Sequence, residues 1–125
     1  MKVEIIKVVA ADVTLKELQK ENAIPFTLAW EIDDMLEIFS KHVERFNKER
    51  QKLVTELGEP DKENPEMYHI KTESIKNYNE KIEEIASFEV ELEGLKKLKK
   101  EDLKSLVIPG SITIADIKEF IDESK

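Results

Sequence analysis

One run of residues limits what this chain can become. Between Leu28 and Leu57 the apolar positions are Leu28, Ile32, Met35, Phe39, Val43, Phe46, Leu53 and Leu57, spaced three or four apart, with Arg50 as the one break. Such spacing keeps one face of a helix apolar. Leu36, Ile38 and Val54 widen that face beyond a two-stranded seam. Pro25 stands where helices start, with Thr27 as an alternative cap. Gly58, followed by Pro60, supplies the stop. The spacing therefore predicts a helix over 26–57, roughly 45 Å long at 1.5 Å per residue. Few folds of 125 residues have room for such an element. It needs partners along its whole length.

The remaining segments supply them. A second helix is predicted over 72–87, with Thr72 as its cap and Ile75, Tyr78, Ile82 and Ile85 on one face. The polar loop between the two holds Pro60 and Pro65, 67–70 reads as extended, and the helices are expected to pack antiparallel. The far end of this hairpin, near Gly58 and Pro65, is expected to project. The segment 88–93 alternates Phe88, Val90 and Leu92 with Glu89, Glu91 and Glu93, the pattern of a half-buried strand. Residues 2–9, rich in Val and Ile, read as the strand that pairs with it. Thr14 and Glu17 have capping-box spacing, so 14–18 reads as a short helical turn. Leu95, Leu98, Leu103 and Leu106 suit a loop plus one helical turn, and 107–112 reads as a turn or short extended piece. A terminal helix is predicted over 113–123, capped by Thr113 and Asp116, with Ile114, Ile117, Phe120 and Ile121 facing inward. The expected fold is α+β and mostly helical. It is one domain over 1–125, a long antiparallel α-hairpin with a small β element and a short C-terminal helix at one end.

Composition narrows the chemistry. The chain has no cysteine, which excludes disulfides, thiolate metal sites and thiol nucleophiles. Its three glycines, at 58, 94 and 110, stand alone, so there is no phosphate-cradling loop. The net charge of −8 opposes general nucleic-acid binding, which needs cationic surface. The apolar stretch at the N-terminus is interrupted by Glu4 and Lys7, so neither a secretory signal nor a membrane span is expected.

The candidate sites are correspondingly sparse. His42 and His69 have no partner at ligand spacing, and each reads as structural or surface. The stretch from Asp61 resembles a calcium loop, but Glu66 stands where glycine is needed and Pro65 at a ligand position. Glu31, Asp33, Asp34 and Glu37 cluster in the long helix, with Glu31, Asp34 and Glu37 three apart on one face. They read as a solvated acidic first turn rather than a metal site. Lys96, Lys97, Lys99 and Lys100 read as a solvated basic run. No catalytic, cofactor or metal residue is assigned, and no enzyme is expected. The candidate interaction residues are Trp30, Phe39, Phe46, Glu89, Glu91 and Glu93. Trp30 lies off the main stripe and is expected to be core beneath the β element, or an interface anchor if exposed.

The order of these features resembles a family of small tailed-phage proteins, a domain of unknown function. The resemblance is carried by Gln51, Lys52, Leu53, Val54, Gly58 and Glu59 at the end of the long helix. It continues through Asn79, Ile82 and Glu83, then Glu89 and Glu91, then Ala115 and Asp116, and covers about 24–121. It is a match of pattern and carries no active site. It implies a phage setting, in the infected host's cytoplasm or the virion, and a non-enzymatic role. A weaker resemblance is to prefoldin-like chaperones, which place a β-hairpin between two long helices. Here the strands are expected to flank the helices instead.

Two functional expectations follow. One is a structural or assembly component that packs its helices against a second copy or a larger phage protein. The other is an early inhibitor of a host factor, using the acidic row Glu89, Glu91 and Glu93 to imitate phosphates. Neither requires a cofactor, nucleic acid or membrane.

Overall fold

The long helix is the spine of the molecule. A computed structural model describes residues 1–20, 24–104 and 114–122. In it α2 runs unbroken over Phe26–Leu57, 32 residues, about 48 Å. Its core face is the stripe read from sequence: Leu28, Ile32, Met35, Phe39, Phe46 and Leu53 are buried, while Val43 and Leu57 are half-buried and Arg50 is exposed. No single partner helix matches its length, so two shorter helices cover it in succession.

The first is α1, Ile5–Gln19, preceded by the three-residue strand β1, Lys2–Glu4. The strand expected over 2–9 therefore ends at Glu4. Ile5, Val8, Ala11, Leu15 and Leu18 recur at helical spacing and are all buried. Within an eight-residue window the Val and Ile content looks like a strand; across the full segment the period of the buried residues decides. Thr14 is accordingly no cap but a buried mid-helix residue, its hydroxyl donating to Asp116 Oδ2 at 3.3 Å. α1 runs antiparallel along the N-terminal half of α2. Gln19 Nε2 donates to Asp33 Oδ1 at 2.7 Å near one end, and Ile5 shares a groove with Phe46 at the other.

The second cover is α3, Ile75–Ala86, which follows a short 3-10 turn at Thr72–Ser74. Thr72 makes no side-chain cap; it opens that turn. α3 returns along the C-terminal half of α2, as expected of a hairpin. The link between the helices contains a small ladder, of which the sequence pattern indicates only the second strand, in the extended stretch 67–70. β2, Gly58–Pro60, pairs antiparallel with β3, Tyr68–Ile70. Strands thus do lie between the two helices, though α3 is far shorter than α2.

β4, Glu89–Glu91, pairs antiparallel with β1, setting Val3 opposite Val90. The N-terminal strand is the partner that was expected. The pair sits at the joint between α1 and α3, near the middle of α2, not at its end. Val90 and Leu92 are buried. Phe88 is not: it is 61% exposed. Its N–H bonds Ile85 O at 3.1 Å in the turn after α3, while its carbonyl accepts from Ile5 N–H at 2.8 Å, and the alternation in burial starts one residue later.

The C-terminal segment closes the other side. After β5, Leu98–Lys99, and the single turn α4, Lys100–Lys104, a 3-10 helix spans Ile114–Phe120 and leads into β6, Ile121–Asp122. β6 pairs parallel with β5. The terminal helix expected over 113–123 is thus a 3-10 helix followed by a strand. Thr113, Leu106 and 107–112 lie outside the described residues, as does residue 123. Ile117, Phe120 and Ile121 do face inward. Phe120 packs edge-on against Phe39 with ring centroids 5.0 Å apart, and Glu119 Oε1 bonds Lys7 Nζ at 2.8 Å. Buried residues from Val3 to Ile121 form one cluster, and the fold is mostly helical α+β.

Candidate functional site

Where α1 gives way to α3, α2 is least covered. None of α3's residues is buried. Tyr78, Ile82 and Ile85 are half-buried, and Ile75 is 44% exposed. Between α2 and α3 runs an open groove of about 470 Å³. Its apolar lining is Ile5, Phe46, Leu53, Ile85 and Phe88. Six charged residues also line it: Arg45, Glu49, Lys52 and Glu56 from α2, and Lys81 and Glu84 from α3. Lys52 Nζ lies 3.3 Å from Glu49 Oε1. An apolar floor beside long charged side chains suits a helix with a mixed-charge flank.

The candidate interaction residues separate in space. Phe39 and Phe46 are buried, so neither stands out as a surface anchor; Phe39 packs against Phe120 of the 3-10 helix, and Phe46 lies in the floor of the groove. Trp30 is the reverse case. The core position expected for it is wrong: it is 60% exposed, edge-on to Phe26 at 5.5 Å, and Phe26 is 75% exposed. Two residues past Leu28 is about 200° around the helix, which turns Trp30 away from the buried stripe. Glu89, Glu91 and Glu93 are all exposed. The row is partly neutralised, because the Met1 ammonium sits 2.9 Å from Glu91 Oε1. Lys2 also stands opposite Glu91 in the ladder.

The basic run has a partner within the chain. Lys96, Lys97 and Lys99 share a cleft of about 570 Å³ with Glu31 and Asp34 of α2. Glu31 and Asp34 of the acidic set and the lysine run, both read as solvated, thus line one cleft. Leu98 between the lysines is fully buried.

The chain matches no protein-family model, no curated protein and no solved structure. Among the described residues, no three His, Asp or Glu side chains are placed to hold a metal ion. No helix among them is long and apolar enough to cross a membrane.

The two histidines differ. His69, on β3, lies 3.1 Å from Glu59 Oε1 across the ladder and is exposed. His42 is buried, and its Nε2 has no hydrogen-bond partner among the described residues. Burial, then the nearby positive charges of Lys41 and Arg45, holds its pKa below the usual 6.5; the Glu91 carbonyl opposes them. The unfolded chain therefore takes up this proton at higher pH than the folded one. His42's contribution to stability is complete above pH 6.5 and is lost as pH falls toward the lowered folded value. Urea midpoints should fall between pH 7.5 and 5.5, a range of about two units around the free imidazole value. A His42→Gln chain should show a shallower slope over the same range. An equal slope in both chains would place the titrating group elsewhere.

Proposed function

We propose that this chain is a non-enzymatic structural or assembly component of a tailed phage, working by helical packing against protein. The observation that carries the packing role is the open α2–α3 edge, where Phe88 and Ile75 stand exposed beside the half-buried Tyr78, Ile82 and Ile85. Contiguous uncovered apolar surface marks a place where protein meets protein. The phage setting rests on the order of motifs from Pro25 to Ile121, and it implies the infected host's cytoplasm or the virion as the location. Mass spectrometry of purified particles tests it. The chain is expected at a fixed ratio to the major capsid or tail proteins, or in assembly intermediates. Absence from both contradicts it.

The other two readings have less support. Imitation of phosphates needs a line of uncompensated charge, and Glu91 is tied to the Met1 ammonium. A prefoldin-like chaperone shares the ladder between two helices, but it needs two long arms, and here they are 32 and 12 residues.

A further inference from the structure

We infer that the occupant of the α2–α3 groove is a second copy of this chain, bound through an antiparallel two-fold contact. The inference rests on the interaction reading above and names its partner.

The charge order along the groove supports it. On α2 the lining residues alternate in sign: Arg45, Glu49, Lys52, Glu56. Their spacing of four, three and four keeps them on one face of the helix. A two-fold axis crossing α2 between Arg50 and Gln51 sets Arg45 against the other copy's Glu56 and Glu49 against its Lys52. Every facing pair is then opposite in sign. A parallel, in-register pairing would set each residue against itself, like against like.

Net charge points the same way. A chain at −8 repels its own copy over most of its surface. The groove's charged lining, three cations and three anions, sums to zero, so contact there adds no local repulsion of its own. A two-fold contact uses the same patch twice and closes on itself, giving a dimer rather than a filament. Phe88 is the natural anchor, a large aromatic side chain that the chain itself leaves open.

Sedimentation equilibrium of the full chain, from about 1 µM upward, should show a reversible monomer–dimer equilibrium. Phe88→Glu should raise the dimer dissociation constant by roughly thirtyfold, the range of an interface anchor. Its circular dichroism should be unchanged, since the residue is exposed. Lys52→Glu and Glu49→Lys should each weaken self-association by roughly tenfold, because each homodimer then faces like charges. Mixed together, these two chains should pair with each other in preference to themselves, since both crossed pairs are again opposite. That preference needs no variant to be better folded than another.

A chain that stays monomeric at every concentration overturns the inference. So does a dimer that ignores Phe88→Glu, or a mixture without preferred pairing. A monomer cross-linked through Lys81 to a different particle protein would also overturn it while leaving the interaction reading standing. Absence from particles together with a dimer that obeys the charge swap would do the opposite.

Discussion

A Phe39→Ala chain should be less stable than the parent by about 3–5 kcal/mol, the range for removing a buried phenylalanine. Phe39 has no exposed surface and lies where three parts of the chain meet. It is on the spine helix α2, α1 packs on the same face, and Phe120 of the C-terminal 3-10 helix stacks against its ring at 62°. Domains of this size are typically stable by about 5–15 kcal/mol, so the loss takes much of the total. In urea the midpoint should fall while the slope stays unchanged. Phe120→Ala should cost a similar amount. The double variant should cost less than the sum of the two, because both remove the same ring contact. A Phe39→Ala chain of nearly parental stability but impaired association would return Phe39 to its standing as a candidate interaction residue.

Gly58→Ala should also be costly, by about 1–3 kcal/mol, as expected for atoms forced into filled space. The reason is close approach. The backbone at Gly58 is extended, with φ −105°, so no left-handed conformation is at stake. An added Cβ would instead run into the carbonyl oxygen of Val54 and come within 2.9 Å of that of His69. Both are backbone atoms held by structure. Val54 O accepts the Gly58 N–H at the end of α2, and His69 lies in β3. Either the last turn of α2 or the β2–β3 ladder must open. Gly94→Ala makes the contrast. Its Cβ would meet nothing within 4 Å among the described residues, but its φ is +75°, so strain of about 1 kcal/mol is the whole cost. Hydrogen exchange should show Gly58→Ala loosening Glu59 and Tyr68–Ile70 and leaving α1 intact. A change spread evenly over the molecule would contradict a local clash.

The elements differ in how far their sequences disclosed them, and the reasons are physical. α2 was legible to its last residue because eight apolar positions hold one phase over 30 residues and a glycine ends them. α1 was not, because Val3, Ile5, Val8 and Val9 suggest a strand until Ala11, Leu15 and Leu18 extend the count. The β2–β3 ladder left no signature for β2, since Gly58, Glu59 and Pro60 are poor strand formers. Trp30 was placed off the stripe correctly, but whether another element covers that side is a tertiary fact. The groove was the least visible feature. Its residues come from α1, α2, α3 and the turn at Phe88, and nothing local says that α3 is too short to cover α2. The unmatched lengths of the two helices were the only hint.

Those lengths, 32 residues against 15 and 12, explain the long helix. It is a spine that α1 and the C-terminal segment cover on one half and α3 covers partly on the other, and the partly covered half is where we propose that another protein packs. Hydrogen–deuterium exchange across a dilution series of the intact chain tests this most directly. At high concentration amides of Ile75–Ala86 and of α2 around Arg45–Glu56 should exchange more slowly than at low concentration, while those of Ile5–Gln19 stay the same. If α3 exchanges at one rate throughout and protection grows instead around Phe26 and Trp30, the contact surface lies at the other end of the spine.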